Sequence, residues 1–186
     1  MYQKLKENKG VFFLVKALLL YVLWAISYRL FLHEKSPIDF FLIDNLTSAT
    51  AEILQLFGYQ MMTLPADVDT LGVVGIDGSH GVLIGYPCNG LELFALFAGF
   101  VVAYPGQIKT KLWFIPLGLL SIHILNIIRV IGLALLAYHA PEKLEFNHTY
   151  TFTFIVYSFV FMLWIIWALK LSGEVFIEDT LTNNKS

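Results

Sequence analysis

Apolar residues in this 186-residue chain come in long runs divided by short polar breaks. Val11 to Leu32 is almost continuously apolar, with Lys16 near its start and Arg29 near its end. About 20 apolar residues cross a bilayer, so this run predicts a first transmembrane helix. It is too long for a secretory signal and no small-x-small cleavage site follows it, so it reads as a signal anchor. Further spans are predicted over about 90–105, 112–138 and 149–169. Pro105-Gly106 ends the first of these, and a tight basic loop with Lys109 and Lys111 leads into the next.

Two stretches break this pattern. Over about 38–59 the apolar positions Phe40, Phe41, Ile43, Leu46, Ile53, Leu54 and Phe57 alternate with Asp39, Asp44, Asn45, Glu52 and several hydroxyls. Charges at a bilayer centre cost at least ~2.5 kcal/mol each on insertion scales. The stretch therefore reads as an amphipathic helix, lying at the interface or packed against the bundle. Over about 71–87 two short β-type runs, Val73 to Ile76 and Gly81 to Tyr86, flank Asp77-Gly78-Ser79-His80. Asp-Gly is a hairpin signal, so a small β-hairpin is expected to deliver the chain to Cys88. The fold class expected is an all-α integral membrane protein in a single domain, residues 1–186. It has about four transmembrane helices, an interfacial amphipathic helix and a small extracytoplasmic β-hairpin.

Composition agrees: 58% of residues are hydrophobic, with 16 Phe and 9 Tyr suited to lipid-facing and interfacial surfaces. The formal net charge of -2 gives no reason to expect nucleic acid as a partner. The lone cysteine excludes an internal disulfide, and no two histidines have compact ligand spacing, so no metal is expected. Lysines near the N-terminus, Lys109, Lys111 and Lys170 mark one face as cytoplasmic by the positive-inside rule, provided that 38–59 does not cross.

Depth then brings distant residues together. Cys88 lies 18 positions (106 − 88) before Gly106, and Arg129 lies 18 positions (129 − 111) after Lys111. Each interval is ~27 Å of helix, close to the hydrocarbon thickness. His148 lies 22 positions (170 − 148) before Lys170, or ~33 Å. All three are expected near the outer surface.

Cys88 follows Pro87 and precedes Asn89-Gly90 at a helix start, where the helix dipole favours a thiolate and free N–H groups suit an oxyanion. The plainer role for such a residue is packing. Arg129, inside an apolar run, is a functional candidate or a snorkelling anchor. Asn126 lies one turn before it on the same face. His148, beside Asn147 at a predicted helix N-terminus, suits a neutral imidazole base. Glu92, four residues after Cys88, is placed to orient His148, pair with Arg129 or complement the dipole. His123 is expected to hydrogen-bond between helices.

Pro87-Cys88-Asn89-Gly90-Leu91 before a span, Asn126-Ile127-Ile128-Arg129-Val130 late in the next, and His148 before the last resemble the exosortase/archaeosortase family. The resemblance covers roughly Leu71 to Leu171 and is that of a compact bacterial member. Asn89 stands where the family usually has Ser or Ala. The resemblance implies a membrane cysteine protease or transpeptidase, without cofactor, in the inner (cytoplasmic) membrane with its site facing outward. Its implied partner is an exported protein ending in a short motif, a transmembrane helix and a basic tail, whose acyl group passes to an unknown acceptor. Cys88 would be nucleophile, His148 general base and acid, and Arg129 the oxyanion or thiolate partner; Asn89, Gly90, Glu92, Asn126 and Asn147 would support them. The other functional class open to the sequence is a non-catalytic membrane subunit binding a partner helix or polysaccharide precursor.

Overall fold

The computed structural model describes residues 9–32, 36–63 and 72–173. Lys4, Lys6, His33, Leu71 and the polar tail beyond Gly173 lie outside the described residues. Five main helices form: α1 (Lys9–Ser27, running on as a π turn to Leu32), α2 (Pro37–Leu56), α3 (Leu91–Ala103), α4 (Ile108–His139) and α5 (Pro141–Leu171). Between α2 and α3 lies a two-stranded antiparallel sheet, β1 (Val73–Val74) with β2 (Val82–Leu83).

Among the described residues three helices are long and apolar enough to cross a membrane: α1, α4 and α5. The span expected over 90–105 is the short one. α3 has 13 residues, about 20 Å of helix, against a hydrocarbon layer of about 30 Å. Gly90 and Pro105 flank it, and no proline interrupts it. Lysines close its C-terminal end. Lys16 of α1 donates to Val102 O at 3.0 Å, and Lys111 of α4 donates to Val102 O at 3.1 Å and Tyr104 O at 2.7 Å. The last carbonyls of a helix lack the usual intrahelical donors, and here the ammonium groups donate to them. Gly106 lies against Trp167 and Ser172 at the end of α5. One end of the bundle thus gathers the first half of α1, the α3–α4 connection and the last turns of α5.

The main core lies among α3, α4 and α5, where Leu93, Phe97, Val101, Phe114, Ile122, Val156, Val160, Leu163 and Trp167 are buried together. Gly118 lets α3 and α4 close up: an added Cβ there would fall 2.1 Å from Phe97 Cζ. α1 stays outside this core, touching α3 through Phe13 on Phe100 and Tyr104 with ring centroids 5.4 Å apart.

α4 is 32 residues, about 48 Å, and its second half carries the remaining structure. α2 packs along it, from Asn45 against His123 to Tyr59, just past the end of α2, against His139. Leu46 meets Val74, Ile84 and Val130; Leu54 meets Ile76 and Ala134. The hairpin expected over 71–87 forms, with Val73 opposite Leu83 and Val74 opposite Val82. A third segment joins its edge through Met61 opposite Ile76.

α5 begins earlier than the expected 149. Pro141 opens it, Glu142 and Glu145 stand in its first turns, and the stretch expected as a polar loop over His139 to Asn147 is mostly helix. Proline at a first helical position and acidic residues beside the positive end of the dipole are start signals. Their polarity disguised a helix that continues beyond the apolar run.

Candidate active site

The site forms where the hairpin hands the chain to α3. Tyr86–Cys88 is a single 3-10 turn, closed by Cys88 N–H donating to Gly85 O at 2.9 Å. Gly90 then caps α3 with φ +90, a left-handed conformation that suits glycine, and a side chain there would press on Asn126 Nδ2 at 3.2 Å. Irregular backbone next to apolar helices must be satisfied from within. Asn126, 1% exposed, donates from Nδ2 to Cys88 O at 3.0 Å. Asn89, also 1% exposed, accepts from Leu91 N–H through Oδ1 at 2.9 Å and donates through Nδ2 to Asp39 of α2.

Held this way, the half-buried Cys88 presents Sγ to two partners. His148 Nε2 lies 3.7 Å away and Arg129 Nη2 lies 3.9 Å away. The 3-10 turn after the hairpin, α4 and α5 each contribute one residue, so three residues expected at one depth lie together. His148 is not in a loop at a helix start, as expected, but inside α5, in a π turn over Asn147–Thr151. A π turn admits an extra residue and turns side chains off the face that ordinary helical spacing would give them; such turns recur at functional sites.

The supporting residues divide. Asn89, Gly90 and Asn126 build the Cys88 turn. Asn147 does not reach it: its Nδ2 donates to Lys143 O at 2.9 Å within α5. Glu92 is exposed and lines a small cavity of about 140 Å³ with Pro87, Gly90, Arg129, Thr153 and Tyr157. Among the described residues it pairs with neither Arg129 nor His148, which leaves complementing the α3 dipole as the role its position supports. His123 bridges helices as expected, its Nε2 2.7 Å from Asn45 Oδ1. Among the described residues no three His, Cys, Asp or Glu side chains cluster as a metal site would require.

A family model described as transmembrane exosortase matches residues 5–169. The chain belongs to the transmembrane exosortase family. No curated protein and no solved structure matches it. In this exosortase the cavity beside Arg129 adjoins a larger apolar groove of about 860 Å³ between α1 and α3, with Glu92, Leu93 and Tyr157 lining both.

Asp39, which the pattern of α2 presents as one polar interruption of an amphipathic helix, joins the Cys88 turn through Asn89. It is 0% exposed. The signal was present in the spacing: Asp39, Leu42, Ile43, Leu46, Thr50 and Leu54 form the buried stripe of α2. A carboxylate on the apolar stripe of a helix needs a partner.

Proposed function

We propose that this exosortase is a cysteine peptidase or transpeptidase that cleaves C-terminal sorting signals of exported proteins at the outer face of the cytoplasmic membrane. The observation that carries this is Cys88 Sγ lying 3.7 Å from His148 Nε2 and 3.9 Å from Arg129 Nη2. A nucleophile beside a base, with a forked cation on the same atom, is the arrangement covalent acyl transfer needs.

In the proposed reaction His148 takes the Cys88 proton and the thiolate attacks a substrate carbonyl carbon, forming a C–S bond. The carbonyl electron pair moves to oxygen, and Arg129 is near enough to stabilise that charge. The oxyanion collapses, the C–N bond breaks, and the leaving amine takes the proton from His148. The resulting thioester is opened by an acceptor amine, or by water, which gives its proton to His148 as the C–S bond breaks and the thiol is restored. The outward orientation is supported by Lys16, Lys109, Lys111 and Lys170 belonging to the end of the bundle opposite Cys88.

The test is to co-express the enzyme with an exported protein ending in a motif, an apolar helix and a basic tail. Cys88→Ala is expected to leave that protein uncleaved while the variant inserts and accumulates normally. Unchanged cleavage would remove the proposal.

A further inference from the structure

We infer that Asp39 is a positioning residue for Cys88, acting through Asn89; this rests on the function proposed above. Four observations carry it. Asp39 is completely buried, although it stands only three residues into α2, where a carboxylate could have faced water and still met the helix dipole. Oδ1 accepts from Asn89 Nδ2, a contact that joins positions 50 residues apart and spans two elements. Oδ2 has no hydrogen-bond partner among the described residues. Asn89 in turn spends its other end on Leu91 N–H, the first residue of α3.

Burying a carboxylate is costly, and the cost is tolerated where the geometry it enforces is needed. Here the geometry is that of one peptide unit. Asn126 of α4 holds the carbonyl of Cys88 from one side. Asp39 of α2 holds the side chain of the next residue from the other. The α2 clamp is the part that neither the position of Cys88 nor its two reactive neighbours would reveal. Removing it leaves Asn89 free to rotate and unties the turn from α2. Cys88 Sγ then has no fixed distance to His148 or Arg129. Asp39 itself has no contact with Sγ and takes no part in bond making.

The lone cysteine allows a direct test without a substrate. Full-length enzyme in detergent is alkylated with iodoacetamide at one fixed pH, and the rate at Cys88 is the readout. Asn89→Asp sets two carboxylates against each other and is expected to change the wild-type rate at least several-fold. Asp39→Asn in the Asn89→Asp background restores one donor and one acceptor and is expected to bring the rate most of the way back. Asp39→Ala is expected to resemble Asn89→Asp, and Thr50→Val, a buried change on the same stripe, to leave the rate alone. Thermal melts of each variant separate loss of fold from loss of positioning. The swapped pair, with the same two side-chain types in exchanged places, keeps the test valid should Asp39→Ala fail to accumulate. A rate that Asn89→Asp or Asp39→Ala does not move, or that the swap does not restore, would overturn the role of Asp39 alone. Cleavage of the sorting signal that persists in Cys88→Ala would overturn the proposed function and this role with it.

Discussion

Arg129 shows how little of a side chain's role its type decides. Any cation near the end of an apolar helix can reach water, and lysine does so as well as arginine. The 3.9 Å approach of Nη2 to Cys88 Sγ asks for more: a planar fork held on one point, with Nε buried behind it and without a hydrogen-bond partner among the described residues. Arg129→Lys is therefore expected to keep near-normal membrane abundance and to lower substrate cleavage at least ~100-fold, the scale of one lost oxyanion donor. Cleavage normalised to enzyme in the membrane is the measurement. Near-full activity in Arg129→Lys would make the residue an anchor and leave Asn126 or Asn89 as candidate donor.

At the scale of elements, legibility followed the strength of the local pattern. α1 and α4 were plain because apolar length alone identifies a membrane helix. The hairpin was plain because Asp77-Gly78 has few other uses, and Gly78 does take a positive φ of 81°. The proximity of Cys88, Arg129 and His148 was legible because helix rise converts sequence spacing into depth. The start of α5 was not, since a helix extending past the apolar run looks like a loop to any hydropathy reading. Asp39 was missed because its partner is 50 positions away. The close approach of α3 to α4 was also hidden: nothing in the sequence around Gly118 says which ring faces it. That contact makes a sharp contrast. Gly118→Val is expected to destabilise the bundle by roughly 1–3 kcal/mol or more, because Phe97 is fully buried and cannot move aside. Gly99→Ala meets nothing within 4 Å and is expected to be neutral. Melting temperature in detergent and abundance in membranes distinguish the two.

For the whole molecule, the arrangement of its ends makes a claim about sides. Lys16 and Lys111 share the Val102 carbonyl, so the start of α1 and the start of α4 belong to one end, with Cys88 at the other. A cysteine placed at position 109 in a Cys88→Ala background is expected to be shielded from an impermeant thiol reagent in intact cells, while Cys88 in the wild type is labelled. Labelling at 109 from outside would invert the topology. The brevity of α3 carries this further. Its ends are a pair of lysine-capped carbonyls and the Cys88 turn, both of which favour water, yet only about 20 Å of helix separates them. A bilayer of ordinary thickness must pinch inward there, or water must reach down to meet the turn. Membrane thickness then becomes a control on the thiol. In vesicles of short-chain lipid a charged alkylating reagent is expected to reach Cys88 quickly, and in long-chain vesicles slowly. Equal rates would mean that the turn keeps its own path to water whatever the lipid.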